Sequence, residues 1–197
     1  MDLLIVKASK PQKDASKAAA AVAPSRTDSK GAPPIIIVPA ALTSLLTVFN
    51  VKSFLEAGQF LPTEEARKQV NGVKPSTVVL DHANAKNASS KVTFQVVDGV
   101  ERLKDTDWDR VVAVFVSGQA WQFRGWKWTD PVEIFSNVKG FYLKYADVKT
   151  DPQIKQWNVT VLEVNRYKRH LDAQCVYEFW SIVDRYLAAQ KPHLLNK

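Results

Sequence analysis

The sequence predicts an α/β fold: an open, mostly parallel sheet with helices on both faces. Ile35–Val38 and Val111–Val116 are apolar at every position, the pattern of strands buried on both sides. Segments with helical spacing alternate with them. The last carries Val176, Phe179, Trp180, Val183, Tyr186 and Leu187 on one stripe. Buried strands alternating with amphipathic helices need a layer on each side of the sheet.

The elements follow in order. Residues 1–34 read as a flexible tail, because from Lys7 to Pro34 the chain is Lys, Ala, Ser and Pro with almost no large apolar residue. This leaves open that the chain is the C-terminal piece of a longer protein. Residues 35–197 read as one domain. After the strand at Ile35, Thr43 or Ser44 is expected to cap a helix with Leu42, Leu45, Leu46 and Phe49 on one face. Asn50 is expected to cap a short turn through Phe54 and Leu55 that stops at Gly58. Residues 62–90 are polar, contain Pro62, Asn71-Gly72 and Pro75, and are expected to form a long loop or insertion. Lys91–Val97 alternates as a half-buried strand near an edge. Val111–Val116 is the central strand, followed by an aromatic stretch to Trp128. Asp130 and Pro131 then begin a helix that Gly140 is expected to close. Strands follow over 141–145 and 157–164. Asp172 is expected to cap the last helix, which Pro192 ends.

The chain has 197 residues and a formal charge of +7. Six basic and three acidic residues fall in 1–34, six and five in 35–100, and fifteen and twelve in 101–197, so the excess is thin everywhere. A single cysteine, Cys175, allows no internal disulfide and fits a reducing compartment. The opening apolar run, Leu3–Val6, is shorter than a secretory core, and no run approaches the ~20 residues that span a bilayer. The reading is a soluble protein without a membrane partner.

A ligand in such a sheet belongs at the first strand-to-helix turn. That turn is Val38-Pro39-Ala40-Ala41-Leu42-Thr43-Ser44, with no glycine to wrap phosphates, no lysine to neutralise them, and a proline that removes a donor. Nucleotide hydrolysis is disfavoured. His82, His170 and His193 share no metal-ligand spacing, and Ser117 lacks the glycine of a nucleophile elbow. Cys175 reads as a small buried helix residue rather than a low-pKa thiol. No enzyme, cofactor, metal or small-molecule substrate is implied. Two groups remain. Trp121, Phe123, Arg124, Trp126, Lys127 and Trp128 can stack bases or clamp a peptide, or pack as an aromatic wedge. Arg166, Lys168, Arg169 and His170 form a basic turn, either merely solvated or an anchor for an acidic or phosphorylated partner. The expected partner-binding set is Arg166, Lys168, Arg169, His170, Trp121, Arg124 and Trp126.

The stretches Pro34–Ala41, Asp107–Val116, Ala120–Trp126 and Tyr167–Asp172 resemble, in order and over about residues 34–195, the C-terminal domain of the parafibromin family. The resemblance implies a Ras-like, P-loop-GTPase-like domain of about 163 residues whose phosphate loop is degenerate. It implies a non-catalytic interaction module of the nuclear Paf complex, which accompanies RNA polymerase II in elongation and promotes histone modification on chromatin. The module's partners would be phosphorylated tails of the elongation machinery, and the other Paf subunits would bind through a long N-terminal region that the family carries and this sequence does not show. Transcription comes from the resemblance alone. Two alternatives stay open: a direct nucleic-acid-binding module, suggested by +7 and the aromatics, and a residual GTP-binding protein.

Overall fold

Three consecutive isoleucines, Ile35–Ile37, form strand β1 and lie at the middle of the sheet, each at most 2% exposed. The protein is described by a computed structural model covering residues 31–84 and 87–195. The expected tail thus lies outside the described residues up to Lys30. From there β1 leads to α1 (Val51–Leu55), α2 (Thr63–Gln69), β2 (Val78–Asn84), β3 (Asn87–Val97) and β4 (Val111–Phe115). Then come α3 (Pro131–Asn137), β5 (Lys139–Tyr145), β6 (Val159–Val164) and α4 (Asp172–Gln190). Among the described residues the sheet has six strands in the order β2-β3-β1-β4-β5-β6. Only β2 runs antiparallel to its neighbour. This is the open, mostly parallel sheet that the sequence predicts, with helices on both faces.

The two faces are covered differently. On one, α1 and α4 bury Val51, Phe54, Phe179, Val183 and Leu187 against Ile36, Phe115 and Phe141. On the other, short α3 and the loops around Trp108 and Phe123 cover Ile35, Ile37, Val111 and Val114. Asp130 caps α3 as expected: its Oδ1 accepts the Val132 N–H at 3.0 Å, with Pro131 at the first helical position.

Four local expectations are corrected. The 42–49 segment is not helical. Its Thr47 N–H, which a helix would direct to Thr43, donates to Asn50 Oδ1 at 2.8 Å, and Asn50 Nδ2 donates to the carbonyls of Leu45 and Leu61. Asn50 is wholly buried, and this side-chain network takes the backbone groups a helix needs. Next, the 62–90 stretch contains α2, β2 and the start of β3. Its weak signal has a cause: α2 buries only Thr63 and Ala66, and β2 is an edge strand that buries Leu80 while Val79 is half exposed. Third, Gly140 lies inside β5, and the helix ends at Asn137 with Val138 already extended. A Cβ on Gly140 would stand 2.5 Å from Val159 Cγ1 and 2.7 Å from Phe135 Cδ1, so glycine is required there because α3 and β6 press on the strand. Finally, Asp172 is the first residue of α4 rather than its cap. Its buried Oδ2 accepts from the Phe60 N–H at 3.2 Å, holding the chain after α1 onto the helix start.

Candidate functional site

In a parallel sheet all strands point their carboxyl ends at one edge, here called the upper edge, where the loops after β1, β4, β5 and β6 gather. The loop after β1 contributes no phosphate cradle. Val38 donates to the Val97 carbonyl and so extends the strand path, Pro39 is buried, and no helix begins until Val51. A cleft of about 380 Å³ remains between the loops, walled by Pro39, Ser117, Trp121, Tyr142 and Tyr145. Lys144 also lines it, but its ammonium is committed: it pairs with Glu163 at 2.6 Å and donates to the Val148 carbonyl at 2.9 Å. Burial, aided by the Asp151 charge, raises the Tyr142 phenol above its ordinary value, so this wall of the cleft stays protonated and neutral at physiological pH.

The aromatic stretch splits into packed and exposed members. Gln122 fastens it to the end of β4: its Oε1 accepts the Ser117 N–H at 2.8 Å, and its Nε2 donates to the Phe115 carbonyl at 2.9 Å. Phe123 and Trp126 pack edge to face at 5.1 Å, and Trp108 lies 5.5 Å from both Trp126 and Trp128. Trp126, expected on the partner-binding surface, is 8% exposed and holds the loop against the sheet instead. Trp121 is 57% exposed at the mouth of the cleft. Arg124 is exposed and lines a smaller hollow, of about 170 Å³, that Trp121 also borders.

The basic turn is ordered by Asn165, whose Oδ1 accepts the N–H groups of Tyr167 and Lys168. Its cations differ in their freedom. Arg169 lies over the Phe60 ring, donates to the carbonyls of Asn165 and Phe60, and stands 3.6 Å from Asp172. That guanidinium is spent on the fold. Arg166 lies 3.7 Å over the Tyr145 ring and pairs with Asp147 at 3.0 Å, but remains exposed. Lys168 and His170 are exposed and have no ion-pair partner among the described residues. The structure therefore joins two groups that are distant in sequence: Tyr145 lines the same cleft as Trp121, and Arg166 stacks on the Tyr145 ring. The Tyr145–Arg166 stack escapes sequence reasoning, since nothing in a strand pattern says that residues 21 positions apart meet.

Cys175 is buried, and burial with the nearby Glu178 and Asp172 charges pushes its thiol up to about 12, which leaves it inert. Among the described residues no group of three or more His, Cys, Asp or Glu could hold a metal ion.

Residues 30–186 match the family model described as RNA pol II accessory factor, Cdc73 family, C-terminal. The chain belongs to the Cdc73 family. It is 39% identical over 160 residues to the cell division control protein 73 of Schizosaccharomyces pombe, covering 81% of this chain and 43% of that one. It is 38% identical over 160 residues to the CDC73 homologue of Arabidopsis thaliana, covering 80% and 39% respectively. A solved structure described as the conserved domain of yeast Cdc73 superposes with a TM-score of 0.73 at 32% identity, covering 80% of this chain and 98% of that one. The chain thus spans about two fifths of the length of these curated Cdc73 relatives. Cdc73 proteins are RNA polymerase II accessory factors, and the sheet described above is that of their conserved C-terminal domain.

Proposed function

We propose that this Cdc73-family domain is a non-catalytic interaction module of the Paf complex in the nucleus. It helps the complex associate with RNA polymerase II and transcribed chromatin by binding phosphorylated tails of the elongation machinery at the upper edge. The observation that supports this most is the half-exposed Trp121 in the wall of a cleft that Tyr145 also lines, with the exposed Arg166 stacked on the Tyr145 ring and Lys168 and His170 exposed on the same turn as Arg166. An aromatic surface beside exposed cations suits a peptide whose backbone lies on the ring and whose phosphates reach the charges. Contacts with other Paf subunits fall to regions outside this chain. The cleft has no free lysine and no glycine turn for a nucleotide, which disfavours GTP.

The test is a fluorescence-anisotropy titration with phosphorylated and unphosphorylated polymerase-tail and elongation-factor peptides. Trp121→Ala, and separately Arg166→Glu with Lys168→Glu, are expected to weaken phosphopeptide binding at least tenfold while the circular dichroism spectrum is retained. Unchanged affinity would remove this surface. A short nucleic-acid strand serves as the control: binding that falls steeply with salt and exceeds that of every peptide would favour the nucleic-acid reading.

A further inference from the structure

The cleft at the upper edge contains no free charge. Among the side chains that line it only Lys144 is charged, and its ammonium is spent on Glu163 at 2.6 Å and on the Val148 carbonyl at 2.9 Å. The Ser117 hydroxyl is committed as well, donating to Gln122 Oε1 at 3.1 Å. A phosphate drawn into such a cleft would lose its water and find no counter-charge, which costs far more than desolvating a neutral group. Any phosphate therefore stays outside, and what enters is uncharged.

Size and lining narrow the choice. At about 380 Å³ the cleft lies near the small end of the roughly 300–1,000 Å³ of ligand sites, room for a residue or two of extended chain and not for a helix. Three rings line it, Trp121, Tyr142 and Tyr145, together with Pro39, Leu45 and Val148. Aromatic-lined clefts of this kind take polyproline II segments, because a proline ring packs on an aromatic face and the peptide is already extended before it binds. Its backbone has no internal hydrogen bonds and brings bare carbonyls. The Trp121 indole and the Tyr142 phenol, which burial keeps protonated, are donors for them.

The cations stand one ring away. The Arg166 guanidinium lies 3.7 Å from the centre of the Tyr145 ring, and Lys168 and His170 are exposed on the same turn. Arg166 is paired with Asp147, but both side chains are exposed, and a pair of that kind yields readily to a phosphate dianion. Polyproline II advances about 3.1 Å per residue, so a phosphate that reaches Arg166 while a proline fills the cleft belongs within a residue or two of that proline. Resting on the interaction-module reading above, we infer that the cleft is a proline subsite. It takes a proline ring of an extended peptide beside Trp121, while a phosphorylated residue adjacent to that proline, or one removed from it, meets Arg166 and Lys168. Two features of one short peptide are thus read together, and the neutral one sets the register.

Fluorescence-anisotropy titration of the full chain separates the two features. The parent peptide carries phosphoserine followed by proline; its variants have alanine or leucine in place of the proline, or the phosphate moved six residues away. Each variant is expected to bind at least tenfold more weakly than the parent. Trp121→Ala should shrink the preference for proline over alanine to less than twofold. So should Thr43→Trp, which fills the cleft from an exposed position on its lining. Arg166→Ala with Lys168→Ala should weaken the parent but keep the preference. Phosphate-dependent binding that is equal with proline, alanine or leucine would overturn the proline subsite and leave the interaction surface standing. Equal binding after the phosphate is moved, or a proline preference untouched by Trp121→Ala and Thr43→Trp, would also overturn it. Failure of every peptide to bind would remove the subsite and the interaction surface together.

Discussion

The two faces of the sheet bury similar strands by different means. On the α4 face a 19-residue helix lays a continuous stripe over the strands, with Phe179 wholly buried between Phe115 at 5.3 Å and Phe141 at 4.7 Å. On the α3 face a seven-residue helix covers too little, and rings from three loops, Trp108, Phe123, Trp126 and Trp157, complete the cover. A helix stripe is one cooperative element, whereas an aromatic cover is assembled from pieces that can give way singly. The loop that supplies Phe123 and Trp126 to this cover leaves Trp121 outside it, 57% exposed.

The largest expected effect falls on the helix-covered face. Phe179→Ala should lower unfolding free energy in urea by about 3–5 kcal/mol, whereas Trp126→Ala, at the rim of the aromatic cover, should cost about 2 kcal/mol because the loop can close over the gap. Equal losses would erase the distinction between the faces. Gly140→Ala should follow, at about 1–3 kcal/mol in the same assay, since its methyl would drive into Phe135 and Val159 where α3 meets the sheet.

A smaller and pH-dependent effect belongs to Lys191, at the end of the long helix. Burial, only partly opposed by Asp109, lowers its ammonium to about 8 from 10.5. Below pH 8 the folded protein carries this charge at a cost. Between pH 8 and 10.5 the unfolded chain holds the proton more tightly, so this lysine's contribution to stability rises with pH. Cys175, raised to about 12, contributes in the other direction above pH 9, so the comparison must be with a variant. The stability of the protein relative to Lys191→Met, measured by urea unfolding, should increase by about 1–3 kcal/mol from pH 7.5 to 10. The smallest effect is expected at the upper edge: Arg166→Ala breaks an exposed pair and a ring contact, and its unfolding midpoint should correspond to a loss of no more than about 1 kcal/mol.

What could be seen in the sequence follows the same division. Strands β1 and β4 and the α4 stripe announce themselves because burial on a regular element forces a periodic pattern. The 42–49 stretch has helical spacing and is not a helix, because one buried asparagine, reaching from Asn50 to Leu45 and Leu61, outbids local periodicity with tertiary hydrogen bonds. Edge strand β2 hides among polar residues since only one side of it meets the core. Among the candidate residues, composition singled out the exposed Trp121 and Arg166 but also Trp126 and Arg169, which are a packing ring and a structural guanidinium. Residue type shows that a side chain can bind; burial, for Trp126, and hydrogen bonds already made, for Arg169, decide whether it is free to.

The Arg110–Pro33 and Lys191–Val111 bonds hold consecutive residues of the chain, and through them the domain's entry and the end of its last helix meet over the start of a single strand. A load applied at Pro33 is therefore carried first by one guanidinium and then by β1, which is bonded on both sides and can only slide out in shear. A domain suspended in this way can be towed by its amino end without being unzipped.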